Sequence, residues 1–404
     1  MTNKILTQYG VDNSSQLMSG FHEIGNNLLS ELLQYYSSPN EKKTLKMWKM
    51  KDACKMIGRS EAFLRKLEQE HPIYTPSKDT NGTRQYSLSL INKIRDFSKT
   101  RIKRPENSDP IILSISNFKG GVAKSTTTLH FIQKCALIGL RCLVIDLDPQ
   151  ATLSLGFGYV PDINVKESDT IKSALIENPK NILNIFQKTY FDGIDIIPGN
   201  LSLSNLEMSL TDLSLQKKQL DELGMPNLRL KSALNILSAN YDVIALDCGP
   251  NLGMLTINAV SASNALLVPI PPMMSDLGSF VTFTGTLSIL FEQMQKSFDF
   301  FRILLTKHPE SKESKQLELL IRQRFGTFVM QKNIVSSVEV EKASSVFSSI
   351  YETQSKSTKT LKRALEAFDN VFYEIFDAFI SIWETQSNTK IENMKYLKEM
   401  MYGK

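Results

Sequence analysis

Asn117-Phe118-Lys119-Gly120-Gly121-Val122-Ala123-Lys124-Ser125-Thr126-Thr127 is the stretch on which the reading of this chain turns. The apolar run before it, Ile111-Ile112-Leu113-Ser114-Ile115-Ser116, reads as a buried strand. The residues after it, Thr126 to Leu137, predict a helix with Leu129, Ile132 and Cys135 inward. Strand, glycine-rich turn and helix together are the setting of a phosphate-binding loop. Gly120 and Gly121 let the backbone approach a polyphosphate, whose oxygens sit among the amides of Val122, Ala123 and Thr126 at a helix N-terminus. Lys124 supplies a charge to the β- and γ-phosphates, and the Ser125 hydroxyl is placed to ligate Mg²⁺. Asn117 and Ala123 stand where the strict pattern G-x-x-x-x-G-K-[ST] has glycines. The form that fits is K-G-G-x-x-K-[ST], with a second lysine, Lys119, at the loop's entrance.

A chain of 404 residues with 42 % apolar and 22 % charged content has room for two or three domains of ordinary globular composition. Its net charge of +5 is unevenly spread. Residues 41–110 hold 17 lysines and arginines against 9 acids, an excess of eight, which leaves the remainder near −3. A basic module on a near-neutral body points to a nucleic-acid partner. The four cysteines, Cys54, Cys135, Cys142 and Cys248, lack C-x-x-C spacing, so core thiols are expected rather than a metal or disulfide framework. With no signal-peptide pattern and no apolar run of membrane-spanning length read in the sequence, the expectation is a cytoplasmic protein.

Residues 14–36 predict an amphipathic helix with Leu17, Phe21, Ile24, Leu28, Leu32 and Tyr35 on one face, for its own domain or a second copy. A second pattern runs from Trp48 to Glu68. A short helix with Ala53, Cys54 and Ile57 inward breaks at Gly58, and a second helix starts at Ser60. Arg59, Glu61, Arg65 and Lys66 would face a DNA groove. Asp79-Thr80-Asn81-Gly82 signals a hairpin ahead of Arg84, and Ser87–Phe97 reads as a closing helix. This combination resembles the winged helix-turn-helix of MerR-type regulators. Lys99 to Pro110 is a linker, after which strands and helices alternate as in a parallel sheet covered by helices. Strands are expected at 111–116, 141–146, 194–197, 242–247, 265–270, 301–306 and 326–330.

Two of those strands end in acids. Leu143-Val144-Ile145-Asp146-Leu147-Asp148 places two carboxylates at a strand tip beside the ligand crevice. Asp148 is the candidate to orient an attacking water, and Asp146 to hold a water on Mg²⁺. Val243-Ile244-Ala245-Leu246-Asp247 has the Walker-B arrangement, in which Asp247 polarises a Mg²⁺-bound water.

Lys119-Gly120-Gly121-Val122-Ala123-Lys124-Ser125, Asp146-Leu147-Asp148-Pro149-Gln150 and Asp247-Cys248-Gly249-Pro250-Asn251-Leu252-Gly253 resemble, in order and spacing, the motifs of the ParA branch of the ParA/MinD ATPases. With the N-terminal module, the chain looks like the larger plasmid-partition ParA proteins of the SopA-like branch. The similarity runs from about residue 44 to about 385 and includes Trp48–Ile57, Arg302–Lys307 and Glu374–Asp377. Ala123 departs from the glycine of many members. The fold implied is an α/β P-loop domain, with a mostly parallel sheet covered by helices, behind an N-terminal helix and a winged helix-turn-helix. The domains expected are 1–44, 45–104, 105–386 and an unassigned tail, 387–404.

The resemblance also implies a homodimer that forms on ATP, with Lys119 of one subunit reaching the phosphates of the other. That dimer would bind nucleoid DNA without sequence preference. A ParB-like partner would stimulate weak hydrolysis to ADP, and the winged domain would repress the operon at an operator. Lys342, with Lys356, Lys359, Lys362 and Arg363, is the candidate surface for sequence-neutral DNA, because serines and lysines there suit phosphate contacts. Two other readings compete: a MinD-like positioning ATPase on membrane, suggested by Ile391, Met394, Leu397 and Met401 in the tail, and a nucleotide-sensing transcriptional regulator.

Overall fold

The computed structural model describes residues 43–161, 163–212, 219–307, 311–353 and 358–391, with residues 18–21, 23–25, 27–28 and 31 near the N-terminus. They fall in two units, Met1–Thr44 and Leu45–Lys404. In the first unit the described residues from 18 to 31 are helical, as the apolar spacing predicts, with Phe21 and Leu28 exposed. Leu17, Leu32 and Tyr35 of that stripe lie outside the described residues, as does the tail beyond Ile391.

The second unit opens with β1 (Trp48–Lys49), α1 (Met50–Ile57), α2 (Glu61–Glu70), β2 (Ser77–Lys78), β3 (Arg84–Tyr86) and α3 (Leu88–Phe97). Gly58 ends α1 at φ 74°, a left-handed conformation that glycine adopts without a Cβ clash, and returns its N–H to Cys54 O. Ser60 then caps α2 by accepting from Phe63 N at 3.3 Å. The two helices therefore meet across a turn of three residues, Gly58 to Ser60. Asp79 Oδ1 accepts from Asn81 N and Thr83 N, which folds the hairpin between β2 and β3. The three strands form an antiparallel sheet in the order β1-β3-β2. Buried Tyr86 donates its hydroxyl to Glu68, tying this sheet to α2.

The main sheet contains β4 (Ile111–Ile115), β5 (Cys142–Asp146), β6 (Gln187–Lys188), β7 (Ile194–Ile197), β8 (Val243–Asp247), β9 (Ala265–Ile270) and β10 (Phe300–Leu305). Its order is β10-β9-β4-β8-β5-β7-β6, parallel throughout except for the edge pair β6–β7. Both faces are covered, which is why the central strands read as unbroken apolar runs. Val144 and Ala245 face one layer, while their neighbours Leu143 and Ile244 face the other. The helices central to the site and core are α4 (Lys124–Ile138), α5 (Met254–Ala262), α6 (Met274–Met294), α7 (Lys312–Phe325), α8 (Val338–Ser345) and α9 (Lys359–Ser387).

One expected strand is corrected and one strand went unread. Residues 326–330 are not a strand: Gly326 turns the chain at φ 54°, a 3-10 turn follows, and only Val329 bridges to Ile303. The edge strand β6 is missed because two polar residues show no period. One further departure concerns length. Among the described residues, α6 alone is long and apolar enough to cross a membrane. Its Phe280, Phe283 and Leu287 are instead packed with Leu266 and Val268 of β9.

The apolar stripe of α9 holds the other face. Phe368, Phe372, Phe376 and Phe379 are buried, and Phe131 of α4 meets Phe372 edge-on at 5.5 Å between centroids. Truncating a fully buried aromatic loses its transfer energy and leaves a cavity. Phe372→Ala should therefore lower unfolding free energy by about 3–5 kcal/mol, read from the urea midpoint at unchanged slope.

Candidate nucleotide site

In a parallel α/β sheet the ligand crevice lies beyond the carboxyl ends of the strands. There β4 runs into the loop that carries both lysines, and the loop is braced at two points. Asn117 is fully buried, donates Nδ2 to Pro269 O at 2.8 Å and accepts from Lys119 N at 3.2 Å. Thr306, just past β10, donates Oγ1 to Val122 O at 3.0 Å. Between these anchors Gly121 and Ala123 both take left-handed backbones, at φ 75° and 71°. Alanine in that conformation costs on the order of 1 kcal/mol, and the two anchors enforce it. Gly120 and Gly121 are exposed, Val122 is buried, and Ser125 and Thr126 form the half-exposed first turn of α4.

The two lysines are held differently. Lys124 is buried and donates to Lys119 O at 3.0 Å. Burial pushes its ammonium below the ordinary lysine range, and the Asp247 carboxylate opposes that shift. Lys119 reaches sideways, with Nζ 2.8 Å from both Asp276 Oδ2 and Ser275 Oγ at the start of α6.

Asp146 and Asp247 are register partners at the ends of β5 and β8, and both are fully buried. Asp146 is saturated: Ser154 donates N and Oγ to Oδ2 at 2.9 and 2.7 Å, and Asp148 N donates to Oδ1 at 3.2 Å. Asp247 Oδ1 accepts from Thr128 Oγ1 at 3.0 Å, whereas Asp247 Oδ2 is buried without a hydrogen-bond partner. The Ser125 hydroxyl lies against this carboxylate and lowers its pKa. An orphaned carboxylate oxygen beside that hydroxyl fits a hydrated Mg²⁺. Asp148 is half-buried, accepts from Gln150 N at 3.0 Å and lies against Gly249.

Burial and the neighbouring Asp247 push Asp146 up to about 8, and burial pushes Asp247 up to about 6. Both folded-state values exceed the unfolded carboxylate value of about 4. The stabilising contribution is thus complete below that value and is lost as pH rises through the folded pKa values. Metal- and nucleotide-free protein should lose stability between about pH 4 and about pH 8 on this account. Asp146→Asn should flatten that part of the profile of urea midpoint against pH.

The sequence-predicted DNA residues are more scattered. Arg59 is half-buried, donates Nη2 to Ser98 O at 2.8 Å and sits over the Phe63 ring. Arg65 and Lys66 are exposed on α2, each with an acid one turn away, Glu61 at 3.6 Å and Glu70 at 3.7 Å. Arg84 is paired with Glu68 at 2.7 Å. Lys342 is exposed on α8, 4.0 Å from Glu339, which also accepts from Thr360 and so brings the first turn of α9 alongside. Lys359, Lys362 and Arg363 lie on that turn and the next, while Lys356 is outside the described residues.

Sequence reasoning missed Asn117, Thr128, Ser154, Asp276 and Thr306. Thr128 was accessible, since it lies one helical turn beyond Lys124. Asp276, at the start of α6, and Thr306, just past β10, come from distant parts of the chain and leave no local signal.

A glycine turn opening a helix, a strand-end carboxylate with a free oxygen and a buried lysine beneath the turn define a P-loop nucleotide-binding domain. Residues 111–300 match the family model described as an AAA domain. The chain is 32% identical over 360 residues to protein SopA of Escherichia coli (strain K12), covering 86% of this chain and 92% of SopA. Its fold is similar to that of a solved partition protein at TM-score 0.63 and 17% identity, covering 90% of this chain and 98% of that one. It is also similar to cobyrinic acid a,c-diamide synthase of Mycobacterium smegmatis, solved with an ATP analogue and magnesium, at TM-score 0.51 and 23% identity, covering 70% and 98%. The chain belongs to the ParA-type plasmid partition ATPases, the family of SopA.

Proposed function

We propose that this chain binds ATP with Mg²⁺, dimerises on it, rides nucleoid DNA in the cytoplasm and hydrolyses ATP when a ParB-like partner engages it. The observation that carries the reading is the unpartnered Asp247 Oδ2 set beside Ser125 and Lys124. Ser125 and Asp247 would hold the metal, Ser125 directly and Asp247 through water, while Asp146 fixes the loop around them. Mg²⁺, when bound, neutralises charge on the β- and γ-phosphate oxygens. Lys124 and the amides from Gly120 to Thr126 bind the phosphates. Asp148, at the crevice's edge, orients the water that attacks.

Lys119 has the second role, across the dimer. Its ion pair with Asp276 is the resting place of a side chain that serves the partner subunit's phosphates. The helix pair α1–α2 with its hairpin is read as a winged helix-turn-helix that binds the operator. Arg65 and Lys66 face outward there, with Arg59 bracing α2 against α3 and Arg84 supporting the hairpin. Lys342 and the start of α9 are the surface for sequence-neutral DNA.

Lys124→Gln should abolish ATP-Mg²⁺ binding. Lys119→Gln should keep ADP binding within a few-fold and lose hydrolysis, as equilibrium dialysis beside a phosphate-release assay would show. Equal loss of ADP binding in both variants would remove the role across the dimer.

Asp148→Ala should keep ATP binding and dimerisation, measured by light scattering, while turnover falls by about two to four orders of magnitude. Hydrolysis at the wild-type rate would assign the water to another residue.

A further inference from the structure

The module's excess of positive charge does not reside on the helix pair. On α2 and the hairpin, Arg65, Lys66 and Arg84 each have an acid within 4 Å, so the local field is nearly balanced. Half of that excess of eight lies instead in Lys99-Thr100-Arg101-Ile102-Lys103-Arg104, four cations in six residues without an acid. This segment leaves the end of α3 and lines a groove of about 710 Å³ whose other wall is Ser387, Thr389 and Lys390 at the end of α9. Six cationic side chains line it, Arg95, Lys99, Arg101, Lys103, Arg104 and Lys390, against the two acids Asp96 and Glu106.

The cations divide into a floor and a rim. Arg95 is buried and donates Nη2 to Leu137 O at 2.9 Å, and Arg101 donates Nε to Gly139 O at 2.7 Å. These two guanidinium groups cap the last carbonyls of α4 and fix positive charge beneath the groove. Asp96, one of the two acids, is taken by Arg101 at 2.8 Å and approached by Lys103 at 3.7 Å. Lys99, Lys103 and Lys390 are exposed at the rim. Lys99 sits at φ 53°, a backbone rare for a residue with a Cβ, and its N–H bonds Asp96 O. Arg104 donates Nη2 to Ser238 O at 2.8 Å, while its Nε is buried without a hydrogen-bond partner.

Long exposed lysines over a fixed positive floor, with the Ser387 and Thr389 hydroxyls at the edge, suit phosphates spaced along a backbone. They form no closed cage for a small anion. We propose that this groove seats the phosphate backbone of duplex DNA, as a sequence-neutral contact separate from α2 and from Lys342. The proposal rests on the reading of this chain as a DNA-binding ATPase and adds a surface to it. The groove lies at the carboxyl end of the 15-residue α4, about 22 Å along that helix from the phosphate loop, so nucleotide and DNA need not compete.

The test uses the full chain with ATP-Mg²⁺ and a random-sequence 60-base-pair duplex, titrated with salt. Each phosphate contact contributes about 0.9 to the slope of log affinity against log salt. Lys103→Gln with Lys390→Gln should lower that slope by about 1.8 and weaken binding at least tenfold at low salt. The urea midpoint and the ATPase rate without DNA should stay unchanged. Lys342→Gln should lower the slope further when added to the pair, since it belongs to another surface. An unchanged slope in the double variant would overturn the groove while leaving the DNA-binding reading intact. Failure of the wild-type chain to bind the duplex at all would overturn both.

Discussion

Two ammonium groups five positions apart must be held in one tight turn against their mutual repulsion, and the structure around the turn is arranged to do it. Lys124 is drawn back under the loop onto the Lys119 carbonyl, while Lys119 is drawn outward onto Asp276. Each of these positions needs an anchor from a different strand. Asn117 is fixed by the end of β9, Val122 by Thr306 beyond β10, and Asp276 stands at the start of the helix after β9. Without a sheet in the order β10-β9-β4, none of those anchors would lie beside the loop. The positive φ at Ala123 follows from the same bracing, since an unbraced alanine would relax out of it.

The helix that begins at this turn links much of the second unit. At its N-terminal end are the loop amides and Lys124; at its C-terminal end Arg95 and Arg101 cap the carbonyls. Its middle is a row of buried polar residues. His130 accepts from Ile350 N at 3.3 Å, Gln133 donates to Glu352 at 2.7 Å, and Lys134 pairs with Asp369 at 2.7 Å. Burial pushes His130 down to about 4, so it is neutral near pH 7 and its ring nitrogens serve as hydrogen-bonding groups. A lone buried ammonium is unfavourable, and Asp369 together with the Tyr373 hydroxyl makes Lys134 tolerable there. These contacts fix α4 against the segment following α8 and against α9, the helix that carries Lys359. A displacement of α4 along its axis would break hydrogen bonds at both ends.

Charge is divided along the same lines. On α2 the cations are neutralised within one turn, so the helix carries no strong field of its own. The segment 99–104 concentrates four cations against the single nearby carboxylate of Asp96, where the end of α3 and the end of α9 line one groove. The two acids at the nucleotide site show the converse, because Asp146 and Asp247 are adjacent, buried and pushed up together.

The sequence by itself determined the phosphate loop, six of the seven strands of the main sheet and the two strand-end acids. Those features are local: an apolar run, a glycine pair and a lysine at fixed spacing are written within a dozen residues. It also determined Gly58 and Ser60 as the stop and start of the paired helices, since caps act on their own backbone. It misread 326–330, where one glycine at φ 54° turned an apolar segment away from the edge of the sheet. Only the tertiary structure decided that Asp146 would be saturated by Ser154 while one oxygen of Asp247 stayed free, because strand register placed the two side by side. The same holds for Lys119 meeting Asp276 across 157 positions and for Lys390 meeting Lys103 across a groove. Contacts of that separation are set by strand order and helix packing, and strand order leaves no mark in any single stretch of the chain.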